Sequence, residues 1–148
     1  MSNRQAVTIV ATKREDLPLL HAWRQNPVVM NYFHDKEETW EEHLGWWENH
    51  PVSYVIVHDG RTIGEVHASV AENETDVGLY VGDPHMWGMG IGESALLLFM
   101  EVLKEKGCTC FTAHVHPRNY RSQKVFAKAG FFLSGIGTDR FLAYRKEI

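Results

Sequence analysis

What this chain has little of narrows its possibilities first. It carries two cysteines in 148 residues. Cys108 and Cys110 show no framework spacing, so a disulfide-built secreted scaffold is excluded and a reducing, cytoplasmic setting is expected. No apolar run approaches the ~20 residues that cross a membrane, and the opening MSNRQAVTIV lacks the apolar core of a signal peptide. There is no basic excess: 15 Lys and Arg stand against 19 Asp and Glu, a net charge of −4. That balance argues against nucleic acid as a partner; it suits a cationic small molecule weakly and solubility in general. No internal repeat, low-complexity segment or linker interrupts the chain. One domain over residues 1–148, large enough for a real core, is expected.

What is present reads as alternating elements. Residues 6–11 are strand-like. Thr12-Lys13-Arg14-Glu15 has the form of a capping box, opening a helix to about Gln25. Trp40, Leu44 and Trp47 recur at helical spacing in a second helix. Val52–His58 and Thr62–Val70 are strand-like and joined by Asp59-Gly60, a strong hairpin signal. A strand at Asp76–Val81 leads through glycines into a helix ending near Lys106, with Gly107 as its cap. Cys108–Val115 is a further strand. Asn119 can cap a helix to Ala129, closed by Gly130, and Phe131–Gly135 with Arg140–Lys146 can form an antiparallel pair. The order β-α-α-β-β-β-α-β-α-β-β implies an α/β fold with one mixed sheet flanked by helices.

Three glycines in five residues (Gly88, Gly90, Gly92) sit directly before the long apolar helix. Strand, glycine loop and helix start together make a ready anion site, because free N–H groups converge there and the helix dipole adds partial positive charge. A tight strand-to-helix turn would use the same residues. No Gly-Lys-Ser/Thr follows, so the loop is not a P-loop. Gly90-x-Gly92-x-x-Ala95 matches a loose dinucleotide fingerprint, but a three-strand meander precedes it and no acid stands near Thr112 to take a ribose.

A second segment, VHPRNYRSQKVFAKAGFF (Val115–Phe132), places Asn119, Ser122, Phe126, Gly130 and Phe131 in a fixed pattern. Together with LYVGDPHMWGMGIG it resembles the GNAT superfamily of acyl-CoA-dependent N-acetyltransferases, nearest the branch of ribosomal-protein alanine acetyltransferases and their aminoglycoside and amino-sugar relatives. The start, TIVATKREDLPLLHAWRQNPVV, is similar to that family's opening strand and first helix. The resemblance implies acetyl-CoA as cosubstrate, no metal, and direct attack of an amine on the thioester. It places the pyrophosphate loop on Trp87, Gly88, Met89, Gly90, Ile91 and Gly92. The strand beside the pantetheine arm falls on Leu79, Tyr80 and Val81, with a backbone N–H near Val81 polarising the acetyl carbonyl. Asn119 matches the pantetheine-contacting asparagine and is also a natural helix N-cap. Ser122, one turn on, is a cofactor contact or a solvated serine. Trp87 departs from the Gln or Arg common at the head of the loop.

The catalytic positions are less orthodox. Phe126 stands where many relatives place a tyrosine acid, so either another group gives the proton, with Tyr120 and Tyr80 as the candidates, or the thiolate leaves with help from water. The position of the base, five residues before Asn119, is His114. An imidazole suits proton abstraction near neutral pH; a strand histidine bonded to a neighbour is the plainer alternative. Alternation puts Glu65, His67 and Ser69 on one strand face. Exposure at a sheet edge explains them most simply, and a substrate groove with Glu65 as an alternative base is the functional reading. Cys108, Cys110, His114 and His116 look like metal ligands by type. Yet eight strand residues span roughly 26 Å, and ligands must lie within about 2.3 Å of a zinc, so they cannot converge. The aromatic, acidic stretch Asn26–Trp40 is a candidate wall for the acceptor, with Tyr32, Trp40 and His67 lining it; Asp35, Glu37 and Glu38 are by default a solvated cluster. The acceptor itself, a protein N-terminus, an aminoglycoside or polyamine, or an amino sugar, is open at this point. So are monomer and homodimer. A non-catalytic acyl-CoA sensor and a nucleotide-binding module are the rival readings.

Overall fold

Seven strands hydrogen-bond in the order β1-β2-β3-β4-β5-β7-β6 in the computed structural model of the chain. It describes residues 6–33, 38–49, 52–137 and 139–148. The strands are β1 Val7–Ala11, β2 Ser53–His58, β3 Arg61–Val70, β4 Thr75–Val81, β5 Cys110–Val115, β6 Phe132–Ile136 and β7 Leu142–Glu147. The helices are α1 Leu17–Arg24, α2 Trp40–Asn49, α3 Ile91–Glu105 and α4 Tyr120–Lys128. All neighbouring pairs are antiparallel except β4–β5. The expected mixed α/β architecture is therefore the observed one. Asp59 and Gly60, at φ 51° and 74°, make the tight turn between β2 and β3, the geometry that matches strand twist.

Local details shift by a residue or two. The cap falls one position later than expected, on a short 3-10 turn, Arg14–Asp16, that leads into α1: Asp16 Oδ2 accepts from the Lys13 N–H at 2.8 Å, while Thr12 Oγ1 bonds Ser53 Oγ at 2.7 Å instead. Helix α2 has its own reciprocal box, Glu42 N–H to Thr39 Oγ1 at 3.1 Å and Thr39 N–H to Glu42 Oε1 at 2.9 Å. Strand β5 starts at Cys110, leaving Cys108 before it.

Apolar side chains of α3 and α4 cover one face of the sheet. Phe99, Leu96 and Leu103 pack on Ile56, Val66, Val77 and Phe111. Helices α1 and α2 cover the other face through a smaller cluster of Leu17, Leu20 and Val55, with Trp40, Leu44 and Trp47 packed against it. The opposite alternate residues of β3, β4 and β5 (Glu65, His67, Asp76, Tyr80, Thr112, His114) point to this second side. Among the described residues no helix is long and apolar enough to cross a membrane.

Candidate functional site

The ladder between β4 and β5 pairs Thr75 with Phe111 and Asp76 with Thr112 and ends there among the described residues. Past that point the two parallel strands part, and a cleft of about 820 Å³ opens there. Leu79, Tyr80 and Val81 form its floor. The loop before α3 and the first turn of α3 form one wall, α4 a second, and the α1–α2 connection, from Pro27 to Phe33, a third.

Gly88 and Gly90 sit in the left-handed region, at φ 77° and 79°, and a Cβ on either would meet no atom within 4 Å. Backbone conformation requires the glycines, and the space beside them is open. Gly92 differs: its Cβ would press within 3.3 Å of Leu79 Cδ1, so it lets α3 close onto β4. The first intrahelical bond runs from Ser94 N–H to Gly90 O; the N–H groups at the start of α3 have no partner within the helix and face the cleft end of its dipole. Trp87 fastens the loop. Its indole N–H donates to Val81 O at 2.8 Å, and the Arg121 guanidinium lies 4.0 Å from its ring centroid. Arg121, Lys124 and Lys128 all line the cleft from one face of α4 at spacings of three and four, a cationic strip suited to phosphates. In the sequence, the Arg-x-x-Lys-x-x-x-Lys spacing is the signal of this strip. Asn119, buried, caps α4 by accepting from Ser122 N–H at 3.2 Å and also lines the cleft.

On the α1–α2 side lies a buried polar network. Glu65 has no exposed surface and accepts from Arg24 at 3.1 Å, Ser53 Oγ at 2.7 Å and the Tyr80 hydroxyl at 2.9 Å. Burial by itself would raise the Glu65 carboxyl; the Arg24 charge, with help from His67 and the two hydroxyls, holds it below its usual value. Burial and the adjoining carboxylate push the Tyr80 phenol well up. Arg24 also pairs with Glu38 at 3.5 Å and stacks 4.5 Å over Trp46. His43, wholly buried, shares an Nδ1–Nδ1 hydrogen bond of 3.2 Å with His21. His21, Glu38 and His43 bring one ligand-type atom each within 4.8 Å, and Arg24 already supplies a positive charge there.

Farther along the same face, His114 Nδ1 lies 3.0 Å from Asp76 Oδ1, and Thr112 Oγ1 donates to that oxygen at 2.9 Å. His116, just past β5, lies tilted against Tyr32 at 5.0 Å and edge-on to Phe141 at 5.4 Å.

The profile of the GNAT acetyltransferase domain family matches residues 6–132. The chain belongs to that family. An uncharacterised protein of Methanocaldococcus jannaschii is 34% identical over 90% of this chain, which spans 29% of that protein's length. The solved structure of a domain from the same organism superposes with a TM-score of 0.87 at 28% identity, covering 96% of this chain and 98% of that one. The aminoglycoside acetyltransferase AAC(6′)-Ib, solved with coenzyme A, superposes with a TM-score of 0.82 at 18% identity over 95% and 94% of the two chains.

This GNAT domain gathers most of the expected cofactor residues in one place. Leu79, Tyr80, Val81, Trp87, Gly88, Gly90, Ile91, Gly92, Asn119 and Ser122 all line the cleft, as does Tyr32. Met89 instead packs against the main core. Trp40 lies away from the lining, edge-on to His21 at 5.5 Å. His67, beside Trp46 at 5.6 Å, is also outside it. Other placements differ from expectation. Glu65 and His67 are not exposed at an edge, because β3 is third of seven strands and α1 and α2 cover its polar face; the buried Glu65 carboxylate is already engaged by Arg24, Ser53 and Tyr80. Neither proposed phenol presents a proton to the cleft: Tyr120 is 67% exposed and outside the lining, and the Tyr80 hydroxyl is committed to Glu65. Phe126 is buried against Phe131 and Tyr144, ring centroids 5.1 and 6.4 Å away, rather than facing the cleft. Glu38 is half-buried on Arg24, not solvated; Asp35 and Glu37 lie outside the described residues.

Proposed function

We propose that this GNAT domain transfers the acetyl group of acetyl-CoA to a primary amine by direct attack on the thioester. The carrying observation is the cleft where β4 and β5 part. It joins a helix N-terminus, two left-handed glycines beside open space, and the Arg121–Lys124–Lys128 strip, a donor set that fits a pyrophosphate and an adenosine phosphate. Trp87, Gly88, Gly90 and Ile91 would hold the pyrophosphate; Leu79–Val81 and Asn119 would flank the pantetheine arm; Ser122 would stand beside it. Acetyl-CoA supplies the activated acyl carbon. His114, exposed at the parting of the strands, serves as base, and a backbone N–H near Val81 polarises the acetyl oxygen. Tyr32 and its aromatic neighbours form the acceptor side. The acceptor is a protein N-terminus, an aminoglycoside or polyamine, or an amino sugar; CoA-bound aminoglycoside acetyltransferases among the structural neighbours support the small-molecule classes.

A non-catalytic acyl-CoA sensor is the second reading, favoured by Phe126 lying in the core with no hydroxyl of Tyr80 or Tyr120 free to take its place. Calorimetry against acetyl-CoA, CoA, NAD and ATP, followed by thiol release with a panel of amines, separates the readings. Acetyl-CoA binding with amine-dependent thiol release is expected. Binding without turnover across the panel selects the sensor, and preference for NAD or ATP overturns both.

A further inference from the structure

We propose that Asp76 is the positioning residue for His114, holding its imidazole in the one neutral tautomer that can take a proton from an acceptor amine. The proposal rests on the acetyl-transfer reading above. Asp76 is the last β4 residue paired with β5, opposite Thr112, and His114 follows two residues later on the same sheet face, where the strands part. Thr112 Oγ1 donates to Asp76 Oδ1 at 2.9 Å and pins the carboxylate. An ionised carboxylate only accepts, so the 3.0 Å contact from His114 Nδ1 places the proton on Nδ1 and leaves the lone pair on Nε2. Side chains of both partners are open to solvent, 41% for His114 and 49% for Asp76, so an acceptor can reach them.

The neighbouring histidine shows the opposite arrangement. His116 Nδ1 accepts the Arg118 backbone N–H at 3.0 Å, so neutral His116 carries its proton on Nε2 and has no lone pair there to offer. Buried His43 and His58 are closed to a substrate. Other charged and titratable groups face the dyad. Arg145, across from Thr112 on β7, is taken by Glu147 at 3.0 Å and Glu74 at 3.4 Å. Ala143 stands opposite His114. His67 approaches from β3 over Gly78, whose Cβ would come within 2.6 Å of its ring; burial and the Arg24 charge lower the His67 pKa, against the opposing pull of Glu65 and of Asp76 itself.

In the step so defined, the amine nitrogen bonds to the acetyl carbon and the carbon–sulfur bond breaks, its electron pair leaving with the CoA sulfur. The amine proton passes to His114 Nε2 and then to water. Asp76 stays ionised and balances the imidazolium. The test combines kinetics of Asp76→Ala and Asp76→Glu with nitrogen-15 NMR of the His114 ring in the resting protein. Thr112 and His114 meet the same carboxylate oxygen, which an asparagine would reproduce, whereas alanine removes the acceptor and leaves Nδ1–H without a partner. Asp76→Ala is expected to cut kcat by about 10²-fold, toward the lower end of what a general base contributes. It should leave the acetyl-CoA Kd within about twofold, well under the ~1.4 kcal/mol of a tenfold change, and shift the ring proton from Nδ1 toward Nε2. Asp76→Glu should restore part of the rate and the Nδ1–H signature. A folded Asp76→Ala protein with wild-type kcat, or with the tautomer unchanged, overturns the proposal. Because the NMR signature needs no turnover, a wild type that never acetylates an amine overturns the transfer reading separately.

Discussion

Acidification should weaken the α1–α2 face through a histidine that the fold buries whole. His43 has no exposed surface, and its Nε2 has no partner among the described residues. Burial first, and the Arg24 guanidinium second, lower its pKa from 6.5 to about 4. In the unfolded chain the imidazole titrates near ~6.5. The shift is downward, so its contribution is intact above the unfolded value and is lost as the pH falls toward the folded one. Between the two the unfolded chain holds about one proton more than the native protein, and stability falls by ~1.4 kcal/mol per pH unit from this residue. Going from about pH 8 to about pH 5 removes ~2 kcal/mol, a sizeable part of the ~5–15 kcal/mol typical of a domain. Urea unfolding of wild type and His43→Gln across this range isolates the effect. The glutamine variant will be weaker at every pH through lost packing, but it has no imidazole to protonate, and the other acid-sensitive groups are common to both proteins. The stability advantage of wild type over the variant should therefore shrink by ~2 kcal/mol on acidification. Two curves that stay parallel between these pH values would refute the reasoning, and so would a His43 ring that NMR finds half-protonated near pH 6.5, the ordinary value.

Gly90→Ala should cost ~1–2 kcal/mol of stability through its left-handed backbone and raise the acetyl-CoA Kd at least about tenfold, ~1.4 kcal/mol; calorimetry on the folded variant showing unchanged affinity would remove this loop from the cofactor site. Alanine at Lys124 and Lys128 together should weaken CoA several-fold, most at low ionic strength, and leave pantetheine binding unchanged; equal losses for both ligands would show that the strip does not read phosphate. Phe126→Tyr should lower stability by ~1–3 kcal/mol by burying an unpaired hydroxyl between Phe131 and Tyr144, with kcat changed less than about tenfold; a hundredfold rise in kcat would mean that this side chain reaches the thioester and that wild type is a crippled catalyst.

Features set within a few residues were legible in the sequence. Asp59-Gly60 made its turn, Asn119 capped α4, and Gly88 and Gly90 took the left-handed backbone before α3, because each depends on nearest neighbours and on φ alone. The alternation of Glu65 and His67 also marks one polar strand face. Whether that face met solvent or protein depended on strand order and on two helices. Glu65 finds Arg24 forty-one residues away, and no local pattern states that distance. The inward side of α4 could be inferred from spacing, but not whether Phe126 would meet cleft or core. His43 lies between Trp40 and Leu44 in sequence, yet it is the residue of α2 that the fold buries. Asp76 and His114, thirty-eight residues apart, become a dyad because β4 and β5 run parallel and join at Asp76–Thr112 before parting. Short-range backbone chemistry is written in the sequence one turn at a time; burial, charge pairing and the cleft arise from which strands become neighbours, and that is decided only when the whole sheet assembles.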